Sequence, residues 1–233
     1  MSDVHEYLKL GLQAYNEKDF DEFNKKVDLA FEADPENPEA CFFKRRSELL
    51  VSESSNLLSN FASFINCFVP AIKSIMASEN SQEEMIDHLT TVVVMYDGSY
   101  EIAENGIVDS LKADDGAIKY DDWKAFWYDS FNRIRDQVDN VLPKILDDTE
   151  AISALLLKRA IGFRHDYSCY VKLANKNDSW WVPEKVALIK KLDPEYEAPE
   201  FKPFPKNFIT KWYAQEKNYT DFNNCDKYLG IGE

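Results

Sequence analysis

Between Tyr7 and Glu39 the chain is punctuated at intervals that leave room for two short helices and the start of a third. Tyr7 to Pro35 reads YLKLGLQAYNEKDFDEFNKKVDLAFEADP. Leu8, Leu12 and Tyr15 fall at i, i+4 and i+7 on one helical face, with Tyr7, Leu10 and Ala14 on the neighbouring side. Glu17-Lys18-Asp19 supplies a turn, and Asp19 is placed to cap a second helix carrying Phe20, Phe23, Val27, Ala30 and Phe31. Asp34-Pro35 ends that helix, because the residue before a proline is pushed out of the α region. Asn37-Pro38-Glu39 opens the third with a cap, a proline at the first helical position and an acid just behind it.

The remainder predicts long helices. Ser54 to Ala77 carries Leu57, Leu58, Phe61, Phe64, Ile65, Phe68, Ile72, Ile75 and Met76 at helical spacing, with a kink near Pro70. The run from Leu57 to Met76 is long enough to span a bilayer, but Ser59, Asn60, Ser63, Asn66, Pro70, Lys73 and Ser74 interrupt it, so it reads as a buried amphipathic helix. Ser81-Gln82-Glu83-Glu84 has capping-box spacing and starts a helix through Ile86, Leu89, Val93, Tyr96, Tyr100 and Ile107. Thr90 to Met95 is β-branched, yet its flanks are helical and a single strand has no partner. Asp114-Asp115-Gly116 is a turn. From about Asp122 another helix runs through Trp123, Phe126, Trp127, Phe131, Ile134, Val138 and Val141, with Pro143 near its end. Thr149 caps the next, through Ile152, Leu155, Leu156, Ala160, Tyr167, Tyr170 and Leu173. With only seven glycines, too few for a turn-rich β fold, the expected class is all-α: a helical hairpin leading into an antiparallel bundle and closed by an extended C-terminal segment. The expected division is residues 1–53, 54–178 and 179–233.

Tyr7, Leu10-Gly11, Asp19, Phe20, Ala30 and Pro35 fall where a tetratricopeptide repeat has its large residue, Leu-Gly pair, acidic turn, aromatic, small residue and closing proline. The stretch resembles one such repeat. Gly11 and Ala30 then let the paired helices approach closely. Phe23 departs from the small residue of the pattern, and the aromatic at the end of the first helix is Tyr15, with Ala14 at the expected place. Shifting Tyr7, Leu10-Gly11, Phe20, Ala30 and Pro35 by the family's period gives Cys41, Lys44-Arg45, Ser54, Phe64 and Val69, which keep none of the pattern. A lone repeat must have its exposed face covered by other elements. The resemblance implies a partner-binding groove on His5, Leu8, Leu12, Tyr15 and Asn16. Members of the family that clamp a peptide's terminal carboxylate use Lys and Asn there; Leu8 and Leu12 take those places, so the groove receives an apolar segment or is filled by the chain's own helices.

Past Trp180-Trp181 the character changes. Pro183 starts a short helix to Leu192, and the prolines from Pro194 to Pro205 mark an extended strap. From residue 201 onward five lysines face four acids, while the whole chain carries −15. That aromatic end either folds back on the acidic body or serves as an arm for another subunit. The acidic balance argues against a nucleic-acid partner and against an anionic membrane surface. An acidic face for a basic partner, including a decoy for nucleic-acid-binding proteins, remains as an alternative. Cys41, Cys67, Cys169 and Cys225 form no C-x-x-C pair, as fits four buried thiols in a reducing, cytoplasmic setting.

Chemistry-bearing constellations are thin. A helical metal-dependent hydrolase would draw on His88, His165 and Asp166, but Arg164 sits beside His165 and repels a cation. Glu84 and His88 stand alone, without the second Glu-x-x-His helix of a bundle di-metal site. Cys169 follows His165 by one turn, and both fit a core. The paired acids Asp114-Asp115, Asp121-Asp122 and Asp147-Asp148 lack calcium-loop spacing and fit helix ends. No Walker loop, dinucleotide fingerprint or nucleophile elbow occurs. The reading is a non-catalytic protein- or peptide-binding module, an adaptor, chaperone or assembly factor, with no cofactor.

Overall fold

The computed structural model describes residues 2–78, 81–113, 116–146, 150–170 and 181–199. The class is all-α. In chain order the helices are α1 (Ser2–Asn16), α2 (Phe20–Ala33), α3 (Pro38–Leu50), α4 (Ser54–Asn66), α5 (Phe68–Met76), α6 (Gln82–Ala113), α7 (Tyr120–Asp136), α8 (Glu150–Tyr170) and α9 (Trp181–Leu192). The chain divides into two compact units, Met1–Ile107 and Val108–Glu233, so the boundary falls inside α6. The units do not part at 53/54: α3 packs against both α4 and α5, which binds the first 50 residues to the pair of helices beyond them. The cut expected at 178/179 lies outside the described residues.

The local signals that start and stop the first three helices are realised. Asp19 Oδ1 accepts from the Glu22 amide at 3.1 Å, and Lys18 makes the turn in a left-handed conformation, φ 63°. Asp34 is extended, as a residue before proline should be. Asn37 Oδ1 accepts from the Glu39 and Ala40 amides at 3.1 and 3.0 Å. α1 lies antiparallel to α2, and a Cβ at Gly11 would stand 3.3 Å from Lys26 Cβ and 3.8 Å from the Phe23 ring. A side chain there would press on Lys26, which would have to yield by a few tenths of an ångström.

The expected single helix from Ser54 to Ala77 is two. The break comes at Cys67, upstream of Pro70, and the reason is hydrogen bonding: in an unbroken helix the proline would leave the Asn66 carbonyl without its donor. Ending α4 at Asn66 places Pro70 in the first turn of α5, where a missing N–H leaves no gap. Ser81 and Glu84 form the expected reciprocal cap of α6.

A continuous path of aromatic rings runs from the surface of the first unit into its core. Phe20 meets Tyr15, Tyr15 meets Phe23, and Phe23 meets Phe43 with centroids 5.8, 5.4 and 5.9 Å apart. Phe42 then contacts Phe43, Phe64 and Phe68 at 5.5, 4.9 and 6.5 Å. Phe68 stacks on Tyr96 at 3.8 Å, and Tyr96 and Tyr100 join hydroxyls at 2.8 Å. Phe61 closes the path on Tyr100 at 5.1 Å. Edge and stacked pairs of this kind add to plain area burial. Beside it a Cβ at Gly106 would sit 2.7 Å from a Leu57 methyl, so α6 passes close to α4 there and any side chain at 106 would displace the end of Leu57.

In the second unit α8 packs against α7 and α9. Trp123, Phe126, Trp127 and Phe131 are all buried, so this group is core. Phe126 meets Phe163 of α8 at 5.5 Å, and Phe131 meets Trp181 of α9 at 5.4 Å. α7 starts two residues before Asp122, whose carboxylate accepts from the Lys119 amide at 2.9 Å. Beyond α7 the backbone widens into a π turn over Gln137–Val141 and tightens to a 3-10 turn over Leu142–Lys144. Pro143 lacks the donor an α-helix would aim at the Asp139 carbonyl, which accounts for the change of register. Asp139 itself accepts from Trp181 Nε1 at 2.9 Å and pairs with Lys185 at 2.8 Å. The caps or turns expected at 114–115 and 149, the strap beyond 199 and the segment 206–233 lie outside the described residues.

Candidate functional site

The end of α1, the start of α2 and the second half of α3 assemble one surface of the first unit. Tyr15 is held between the rings of Phe20 and Phe23 and is half-buried. Phe20, the first residue of α2, remains 54% exposed, because its edge-on contact with Tyr15 covers only one side. The guanidinium of Arg46 on α3 lies 5.9 Å over the Tyr15 ring. Arg46 is half-buried, and its Nε is enclosed with no hydrogen-bond partner among the described residues. Burial lowers its pKa and Tyr15 opposes that; no carboxylate pairs with it among the described residues. The guanidinium stays charged at any ordinary pH.

Its neighbours in sequence are provided for. Lys44 pairs with Asp28 at 2.7 Å and Arg45 with Glu48 at 2.6 Å. A cation over a ring is a favourable contact, yet a buried donor left without an acceptor costs about 1–3 kcal/mol. The enclosed Nε is beyond a ligand's reach, but the terminal nitrogens of Arg46 are not among the enclosed atoms, so the surface can accept a carboxylate there beside an apolar group against Tyr15 and Phe20.

Of the five residues that the sequence marks as a groove, Leu8 and Leu12 are buried in the first unit, Tyr15 is half-buried, and His5 and Asn16 are exposed. Only Tyr15 belongs to the Arg46 surface. The repeat pattern assigns neither Arg46 nor Phe20 to a groove. The signal for position 46 lies in Phe42, Phe43 and Leu49, whose spacing puts it on the inward side of α3.

A second group gathers around the start of α3. Glu39 is 8% exposed and accepts from Ser74 Oγ at 2.9 Å. Burial raises its carboxyl above the ordinary range, while the Ser74 hydrogen bond and the charge of His5 pull the other way. His88 of α6 is half-buried, its Nδ1 has no partner among the described residues, and burial and His5 lower its pKa. Lys9 and Glu84 pair at 3.0 Å. His165 in the second unit is half-buried, and the side chain of Asp166 lies outside the described residues. No group of three His, Cys, Asp or Glu suited to a metal ion occurs among the described residues. Nor is any described helix long and apolar enough to cross a membrane.

The raised carboxyl of Glu39 gives a signed expectation. Its folded pKa lies above its unfolded one, so the folded chain holds the proton more tightly between the two values. Stability falls as pH rises through that window, and the loss persists above it. Glu39→Gln keeps an acceptor for Ser74 and removes the buried charge. It is expected to raise the melting temperature at about pH 7, with the gain shrinking as pH falls into the ordinary carboxylate range. Melts of both proteins across that interval check this; a difference independent of pH would refute it.

Comparison with family models, with curated proteins and with solved structures finds no match to this chain.

Proposed function

We propose that this chain is a non-catalytic protein–protein interaction module, acting in the cytoplasm as an adaptor, chaperone or assembly factor, and that its first unit reads an acidic segment of its partner at Tyr15, Phe20 and Arg46. The observation that carries the reading is the half-buried Arg46, which has no carboxylate partner among the described residues although the chain is rich in acids. A protein bearing −15 could readily place an acid beside one arginine. The partner segment supplies that acid, with an apolar side chain beside it for the exposed ring of Phe20. The antiparallel α1–α2 pair, closely approached at Gly11, supports the tetratricopeptide-like reading of the N-terminus.

Affinity capture with the intact chain, followed by mass spectrometry, identifies candidates. The expected partner is bound directly by the purified chain, through a peptide that contains Asp, Glu or a terminal carboxylate. Neutralising that acid in the peptide should abolish binding. A purified pair whose affinity ignores both that change and Phe20→Ala would overturn the reading.

A further inference from the structure

We propose that Cys41 and Cys67 are a redox-active dithiol that a small-molecule disulfide converts into an internal disulfide tying α3 to the corner between α4 and α5. In sequence the two are 26 positions apart and unremarkable. In the fold Cys41 lies in the first turns of α3, and Cys67 is the single residue between α4 and α5, both of which pack on α3. Their chain neighbours Phe42 and Phe68 are themselves in ring contact at 6.5 Å. Both thiols are half-buried and free. Among the described residues each donates only to a carbonyl of its own chain segment, Cys41 to Pro35 at 3.0 Å and Cys67 to Ser63 at 3.4 Å, so neither is held by a distant part of the core.

Arg45, one turn after Cys41, acts electrostatically on both sulfurs, and the Cys41 sulfur acts on that of Cys67. Burial pushes both thiols up; Arg45 opposes this at each, while Asp34 and Glu36 near Cys41, and Cys41 and Glu48 near Cys67, reinforce it. The resting form is accordingly the dithiol, and reaction quickens as pH rises.

The exchange balances in two steps. The thiolate of Cys41, the less enclosed of the two, attacks one sulfur of the small disulfide, forming a mixed disulfide and expelling one small thiolate. Cys67, losing its proton to solvent, attacks the Cys41 sulfur and expels the second. Two protein thiols are oxidised and one small disulfide is reduced to two thiols, which take up the two protons.

The test uses the full chain with Cys169→Ser and Cys225→Ser, incubated with oxidised glutathione and mapped by peptide mass spectrometry beside the unaltered chain. The expected product is monomeric protein lacking two hydrogen masses, with the 41 and 67 peptides linked, a raised melting temperature and full reversal by dithiothreitol. Adding Cys41→Ser or Cys67→Ser should leave one glutathione adduct on the remaining thiol. Two separate adducts at 41 and 67, disulfide-linked dimers, or thiols that stay reduced would each overturn the proposal.

Discussion

Phe42→Ala is expected to lower the melting temperature by about 10 °C or more, while Phe20→Ala changes it by only a few degrees. Both residues lie on the same path of rings, so the difference isolates position along it. Phe42 is fully buried and touches three other rings from α3, α4 and α5. Truncating such a ring removes its transfer free energy and leaves a cavity that helices pinned by Phe64 and Phe68 cannot collapse into, which costs about 3–5 kcal/mol. A domain of this size has about 5–15 kcal/mol in all, so the variant should sit near the edge of folding. Phe20 touches one ring and is more than half exposed, so its loss costs under about 1 kcal/mol. Thermal melts by circular dichroism decide between them. Equal shifts would mean that the path of rings is not what holds α3 to α4 and α5.

What is legible in the sequence is what a few adjacent residues can settle. Asp19, Asn37 and Ser81 reach amides no more than three positions away, so their caps can be read without knowing the fold. The Pro70 break is legible in the right helix but at the wrong residue, because the carbonyl a proline orphans lies four positions upstream. That α3 belongs with α4 and α5 is not legible, since Phe42 meets Phe64 and Phe68 across more than twenty residues that carry their own helical periodicity. The Lys44-Arg45-Arg46 run hides the candidate site for a further reason. Successive helical residues point about 100° apart, so three adjacent cations cannot share one environment. Lys44 turns to Asp28, Arg45 to Glu48, and Arg46 is left facing Tyr15.

That arrangement makes Arg46→Met the decisive substitution for the proposed function. Affinity for the partner is expected to fall by about 30-fold or more, the counterpart of the roughly 2 kcal/mol or greater lost when one member of a desolvated charge pair is removed. The unbound chain should be unchanged or more stable by about 1 kcal/mol, because methionine keeps most of the side-chain volume and removes a partly buried cation whose Nε has no acceptor among the described residues. Arg46→Lys should recover only part of the affinity: it restores the charge but not a planar fork that grips both oxygens of a carboxylate. Chemical denaturation and titration of the same three proteins separate the possibilities. An arginine that merely braces the fold would lose stability and binding together on conversion to methionine, and that outcome would remove Arg46 from the site. Opposite movements of the two quantities are expected only if the position is kept for a ligand at some cost to the fold.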